Sequence, residues 1–148
     1  EGECCNTAYF MVDGIARLYF VIKEKEITNR FIGPNGVAIS YFSYFSQKPS
    51  FENIDLIEDS TMLVISKEDL NKIYIDFPEL HKAMERMLQL SHIESEERAM
   101  ILRTLSAKEK YAVMQQRFPV IFHKASTEQI ATFLGITRET LSRIRSGK

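Results

Sequence analysis

Short apolar segments separated by turn residues fill the first 66 positions of the chain. Their alternation predicts strands over Ala8–Val12, Ala16–Ile22, Glu26–Ile32 and Met62–Ile65. Asp13-Gly14 predicts a hairpin turn. Residues 33–36 (Gly-Pro-Asn-Gly) predict a stronger break, because they combine a fixed φ with positions that tolerate positive φ. Strands this short, at intervals of about 8 to 12 residues, are typical of a sandwich or barrel.

After Ser66 the apolar period lengthens to between three and four residues, which indicates helices. The Ser66 hydroxyl is placed to cap a helix that begins at Lys67 and stops near Pro78. A longer helix is predicted from Glu79 to Leu102. Its apolar face is formed by Leu80, Ala83, Met84, Met87, Leu88 and Ser91. This face either packs onto its own domain or pairs with the same helix of a second subunit. In the second case the predicted dimer contacts are Leu80, Met84, Met87, Leu88 and Ser91.

The stretch from Thr127 to Ser146 has the most specific pattern of the chain, that of a helix-turn-helix. A predicted helix over residues 107–118, closed by Pro119, leads into it. Two helices that cross at a fixed angle need a small residue at their contact and a turn residue that accepts a left-handed backbone, and Ala131 and Gly135 stand at these places. The inner faces need apolar residues at helical spacing. These are Ile130, Leu134, Ile136, Leu141 and Ile144.

Capping residues support the boundaries of both helices. Residues 126–129 (Ser-Thr-Glu-Gln) predict a capping box for the first helix, and Thr137 is placed to cap the second. The outer surface then presents polar side chains that are able to contact base edges or phosphates. The predicted DNA-binding residues are Thr127, Thr137, Arg138, Glu139, Ser142, Arg143 and Arg145. The alternative is an ordinary helical hairpin with solvated arginines.

The charge distribution supports a nucleic-acid partner although the whole chain of 148 residues has a net charge of only −1. Residues 1–102 carry 10 Lys and Arg against 17 Asp and Glu, whereas residues 103–148 carry 9 against 3. A basic terminal domain on an acidic body is typical of a modular DNA-binding protein. No apolar run approaches the roughly 18 residues of a membrane span, and no secretory signal is visible. We therefore expect a cytoplasmic protein without a membrane partner.

Enzymatic and metal-binding functions find little support in the residue pattern. The three histidines, His81, His92 and His123, all fall in the predicted helical part. Cys4 and Cys5 are adjacent and lack the further Cys or His that a zinc or iron–sulfur site requires, so we expect reduced thiols. We predict no catalytic residue, no metal site and no evident cofactor. The rival function is a regulatory module that binds a ligand or a protein without contacting DNA.

The chain resembles the Crp/Fnr regulators over nearly its whole length, most specifically at residues 129–131 and 135–144, and also at residues 9–14 (Tyr-Phe-Met-Val-Asp-Gly). The resemblance implies an α+β fold: a double-stranded β-helix (jelly-roll-like) sensor domain of the cyclic-nucleotide-binding type over residues 1–78, a dimerisation helix over residues 79–104, and a helix-turn-helix (winged-helix-like) domain over residues 105–148. It also implies that Arg138, Glu139 and Arg143 contact DNA, that the protein is a homodimer, and that RNA polymerase is a partner.

The ligand site is where the resemblance fails. Members that bind cyclic AMP hold its phosphate with a Gly-Glu-Leu segment and a later Arg-Ser or Arg-Thr pair, but residues 39–51 contain neither Glu nor Arg. Burial of a phosphate without paired donors is costly, so we do not expect cyclic AMP binding, and any other effector is unknown. The aromatic residues of this segment either line an apolar pocket or fill the core. For a pocket the candidates are Ser40, Tyr41, Phe42, Tyr44, Lys48, Ser50 and Phe51.

Both ends of the sequence differ from the family pattern. The first residue is Glu1 rather than Met, from which we expect that an amino-terminal part of the protein precedes it. Many relatives continue beyond the second helix into a β-hairpin wing, whereas this sequence stops at Lys148.

Overall fold

The computed structural model describes residues 1–147, which form an α+β structure. The strands are β1 (Thr7–Asp13), β2 (Ala16–Ile22), β3 (Lys25–Ile32), β4 (Val37–Ala38), β5 (Asn53–Leu56) and β6 (Thr61–Ser66). The helices are α1 (Tyr41–Ser46), α2 (Lys67–Asp76), α3 (Leu80–Thr104), α4 (Ala107–Arg117), α5 (Pro119–Lys124), α6 (Thr127–Leu134) and α7 (Arg138–Arg145). All strands precede the long helix α3, and the helices α4 to α7 that follow it form the carboxy-terminal part.

The strands form two three-stranded antiparallel sheets, with the orders β4-β1-β6 and β3-β2-β5. The predicted hairpin at Asp13-Gly14 is therefore wrong, because β1 and β2 belong to different sheets. Gly14 instead turns the chain from one sheet to the other with a φ of +88°. A side chain at this position would overlap with that of Ser60, so the turn needs glycine both for its backbone and for its close contact with the loop before β6.

The true hairpin of this region joins β2 to β3 through Lys23-Glu24. Both residues have positive φ, +49° and +64°. Two-residue hairpin loops commonly require positive φ at both positions, for which Asn-Gly is the usual sequence. The alternation of the flanking strands was visible in the sequence, but Lys-Glu gives no turn signal.

Helix boundaries agree with the local signals. Ser66 caps α2 by accepting a hydrogen bond from the Asp69 amide, as predicted. Pro119 ends α4 as predicted but also begins α5, a short helix that the sequence analysis missed, because proline suits the first turn of a helix. Elements α1, β4 and β5 were also not predicted, and each is at most six residues long.

The hydrophobic core crosses from the strands into the carboxy-terminal helices. Two clusters lie within the strand region, around Met11 with Leu18 and around Ile39 with Tyr44. The largest cluster is formed mainly by α4 to α7, but it includes Ile15 and Phe31 from the strand region. The carboxy-terminal helices are therefore packed against the sheets.

No helix within the part of the chain that the structure describes has the length and apolar character needed to cross a membrane.

Candidate nucleic-acid interface

Local capping fixes the first helix of the candidate site, α6. The Ser126 hydroxyl accepts a hydrogen bond from the Gln129 amide at 3.2 Å, and Gln129 Oε1 accepts one from the Ser126 amide at 2.9 Å, which is the predicted capping box. The helix ends at Gly135, with a φ of +63°. The amides of Gly135 and Ile136 return to the carbonyls of Thr132 and Ala131, at 3.1 and 3.0 Å, so the end of the helix is a Schellman motif.

The second helix, α7, begins two residues after this turn. The Thr137 hydroxyl accepts a hydrogen bond from the Thr140 amide at 3.2 Å, which confirms the predicted cap. Leu141 is fully buried and Ile144 is half-buried, whereas Arg138, Glu139, Ser142, Arg143 and Arg145 are exposed. The chain thus folds into two short helices with their apolar residues inward and their basic residues outward, as the sequence predicted.

Four of the predicted site residues form one continuous surface. Arg138, Glu139, Ser142 and Arg143 line a shallow depression of about 390 Å³ on the outer side of α7. The other predicted residues lie at its margins. Thr137 uses its hydroxyl for the helix cap, and the Thr127 hydroxyl accepts a 3.3 Å hydrogen bond from Arg145 Nη1. Arg145 is therefore partly engaged by its own domain.

The electrostatics of this surface are mixed but mostly positive. Within residues 1–147, Arg138 and Arg143 form no ion pair. Hydrogen bonds from its own backbone amide and from the Thr137 side chain lower the pKa of Glu139, with smaller contributions from the nearby positive charges of Arg138 and Arg143. Glu139 is therefore a carboxylate at neutral pH, and the surface offers both cationic donors and one anionic acceptor.

The residues of the predicted ligand pocket are divided between the core and the surface. Ser40, Tyr44 and Ser50 are buried, and Ser50 Oγ donates to Ser40 Oγ at 3.1 Å. Phe42 and Phe51 are 43% and 48% exposed, and their rings are in contact, with 4.8 Å between centroids. Tyr41 is half-buried and Lys48 is exposed. Of the aromatic side chains here only Tyr44 is buried in the core, and the buried serine hydroxyls are already hydrogen-bonded.

The predicted dimer residues lie on the first half of α3. Leu80 is 39% exposed, and Met84, Met87, Leu88 and Ser91 are half-buried. A second apolar stripe was not predicted: Leu90, Ile93 and Met100 are 47%, 51% and 58% exposed. Their spacing of three and seven residues places them along one side of the helix, a signal that the sequence contained. Helix α3 therefore offers apolar surface that the described chain leaves uncovered.

No family model and no curated protein matches the sequence. Solved structures do match. FixK2 from Bradyrhizobium japonicum gives a TM-score of 0.82 at 20% identity, over 99% of this chain and 76% of that one. The c-di-GMP responsive global regulator CLP from Xanthomonas campestris gives 0.75 at 15% identity, over 99% and 78%. A transcriptional regulator of the CRP/FNR family from Thermus thermophilus gives 0.72 at 17% identity, over 96% and 74%.

The fold is that of the Crp/Fnr regulators. In the terms of this fold, the two sheets are the β-roll and the helices that follow α3 are the helical domain. The Crp/Fnr likeness extends over both parts, since the matches cover between 96% and 99% of the chain. The candidate surface on α7 thus lies in the helical domain, which follows α3 in the sequence, whereas the β-roll precedes it.

Proposed function

We propose that the protein is a sequence-specific DNA-binding transcription regulator of the Crp/Fnr type, in which α7 is the recognition helix. The observation that carries the proposal is the arrangement of α7. Leu141 on its apolar side is buried in the core. Arg138 and Arg143 lie on its exposed side, without ion-pair partners among the described residues. Guanidinium groups held in this way on a short, capped helix suit the edges of guanine and the phosphates of a major groove.

The other site residues have supporting roles in the proposal. Glu139 is held as a carboxylate and accepts from a cytosine amino group, and Ser142 contacts either a base or a phosphate. Thr127 and Thr137 lie at the first turns of α6 and α7, where backbone amides favour phosphate. Arg145 contacts the DNA backbone from the end of α7.

The regulator acts as a homodimer in this proposal, with α3 of one subunit paired with α3 of the other. The predicted residues Leu80, Met84, Met87, Leu88 and Ser91 and the exposed stripe at Leu90, Ile93 and Met100 supply the apolar surface for such pairing. A two-fold axis along this helix pair places two copies of α7 on successive major grooves, about 34 Å apart.

The β-roll is the sensor domain of the proposed regulator, but its effector is not cyclic AMP. The segment at residues 39–51 lacks Glu and Arg, and its buried serine hydroxyls are hydrogen-bonded within the protein. We propose no catalytic activity, a cytoplasmic location and RNA polymerase as a further partner, the last by the family resemblance. A β-roll module that binds a ligand or protein without DNA is the alternative.

A titration of duplex DNA at increasing salt tests the proposal against this alternative. The full chain is added to a fluorescent duplex of random sequence, because the phosphate contribution does not depend on sequence. We expect the logarithm of the binding constant to fall linearly with the logarithm of salt concentration. A variant that makes one phosphate contact fewer should show a slope smaller by about one unit. Absence of binding at low salt would favour the module without DNA.

A further inference from the structure

The first helix of the proposed DNA-binding unit, α6, contacts both the β-roll and α3. On its β-roll side, Thr132 Oγ1 accepts a hydrogen bond from the amide of Thr28 on β3, at 3.2 Å, and donates to the Thr28 hydroxyl, also at 3.2 Å. Nearby, the ring of Phe133 makes an edge contact with Phe31, with 5.1 Å between centroids. A salt bridge between Lys124 and Glu58 also crosses this boundary. These contacts join the helical domain to the β-roll.

Arg98 of α3 also contacts α6, close to the place where Phe133 meets β3. One terminal nitrogen of Arg98 donates to the carbonyl of Phe133 at 2.9 Å, and its Cζ lies 4.6 Å from the centroid of the Phe133 ring. This carbonyl belongs to the last turn of α6, where backbone acceptors lack a partner inside the helix. The Arg98 guanidinium therefore satisfies the end of the helix and stacks on the side chain of the same residue.

The environment of Arg98 is unusual for an arginine. Burial lowers its pKa to about 10, with a contribution from the neighbouring charge of Arg30, and its Nε is buried without a hydrogen-bond partner in residues 1–147. None of the ion pairs formed by these residues involves Arg98. A desolvated charge without a counter-ion is costly, so simple packing would be served better by an apolar side chain. The guanidinium combines a hydrogen bond to a carbonyl with stacking on a ring, which suits a planar cationic donor.

α6 is attached through the side chain of Thr132 and through the backbone carbonyl and ring of Phe133. Successive residues in an α-helix are about 100° apart around the axis, so a helix fixed at both cannot rotate about its axis. Because the Schellman turn at Gly135 is itself rigid, the direction of α7 follows that of α6. Of these two attachments, the one through Arg98 originates on α3, the helix that we propose for dimer pairing.

We propose that Arg98 is the positioning residue that sets the direction of the recognition helix relative to the dimer helix. The inference rests on the proposed function. In this proposal Arg98, which does not contact DNA, determines the distance between the two recognition helices of the dimer. Removal of the Arg98 guanidinium loosens the attachment of α6 to α3 and leaves only apolar packing such as that of Ile101. Each helical domain then still binds a half-site, while the pair favours one separation of half-sites less strongly.

The test compares Arg98→Met with the wild-type chain and with Arg103→Met, which removes an exposed arginine of the same helix that lies outside both apolar stripes. Binding is measured on a symmetric duplex, on a single half-site, and on duplexes with one base pair added or removed between half-sites. We expect Arg98→Met to bind the symmetric duplex about tenfold more weakly and the half-site less than about twofold more weakly, because the advantage of linked binding disappears. Its preference for one spacing should flatten, and Arg98→Lys should be intermediate.

Hydrogen exchange provides a second measurement that needs no DNA. In Arg98→Met, the amides of residues 127–134 should exchange faster, with the melting temperature of the β-roll unchanged, because only the docking of α6 is weakened. Unchanged exchange in this segment, an equal loss on the symmetric and half-site duplexes, or tighter binding by Arg98→Met would overturn the proposal. Failure of the wild-type chain to bind any duplex would refute the proposed function instead, and the exchange measurement would still decide the role of Arg98.

Discussion

Single residues on α7 carry the chemistry of the proposed DNA contact. Arg138 lies in its first turn and Arg143 one and a half turns later, both exposed and both at the same depression. If Arg138 makes a bidentate base contact, Arg138→Ala should cost about 1–3 kcal/mol on the preferred site and relax specificity at one base pair. Binding constants on a set of single-base variants of the site measure this.

The control for Arg138 is Lys108→Ala, which removes an exposed positive charge from α4, away from the depression. It should leave the ranking of sites unchanged. A loss in Arg138→Ala that is equal on all sequences would show that Arg138 contacts phosphate rather than a base.

Gly14 is required for the turn that connects the two sheets, and we expect its replacement to lower the stability of the folded protein. Its positive φ and a neighbouring Ser60 Cα at 2.8 Å from the position of an added Cβ leave no room for a side chain. Gly14→Ala should lower the free energy of unfolding by about 2 kcal/mol, since strain and overpacking add. Gly33→Ala is the matched control, because no atom lies within 4 Å of its Cβ position and its φ is not positive. Chemical denaturation measures both, and similar losses in the two variants would contradict this account of the turn.

At the scale of elements, the parts that follow from local signals could be predicted and those that depend on distant partners could not. Helices α6 and α7 were predicted to within a residue, because Ser126, Gly135 and Thr137 mark their ends in the sequence itself. Strands β1, β2, β3 and β6 followed from alternation, but the sheet to which each belongs did not, since pairing is decided by contacts far apart in the chain.

Helix α1 and the contact of Arg98 with Phe133 are further features that could not be predicted from the sequence. The aromatic residues of segment 41–46 span fewer than two helical turns, too few to establish a helical period in the sequence, and the helix is supported by part-buried hydrogen bonds such as that from Ser43 Oγ to the Lys48 carbonyl. Arg98 lies 35 positions from Phe133. Its charge is typical of a solvated helix surface, so the sequence alone does not distinguish it from its exposed neighbours on α3.

Helix α3 carries the prediction for assembly. Met87 belongs to the stripe predicted from the sequence and Leu90 to the exposed stripe seen in the structure, and their spacing of three residues makes them neighbours on the helix surface. A glutamate at the paired surface should raise the dimer dissociation constant by at least about tenfold, because it places a charge in an apolar interface. Sedimentation of Met87→Glu and Leu90→Glu measures this, with Gln89→Glu as the control. The proposed pairing through α3 is contradicted if both variants remain as dimeric as the wild type.

At the scale of the whole molecule, charge and topology divide the chain into complementary parts. The acidic part contains the β-roll, which is the proposed sensor, and α3, which carries the proposed pairing surface, and the basic helical domain contains α7. The contacts of α6 with both β3 and α3 connect these elements physically to α7, the proposed recognition helix. In the proposed regulator, an effector bound to the β-roll would favour one arrangement of the helical domain over another.

The most direct test of the central claim is the selection of bound duplexes from a random pool by the full chain, at low and at moderate salt. The account predicts enrichment of a two-fold-symmetric sequence with half-site centres about 10 base pairs apart, with weaker overall binding at the higher salt. Absence of enrichment at both salt concentrations, or enrichment of one asymmetric half-site alone, would contradict a dimeric, sequence-specific regulator.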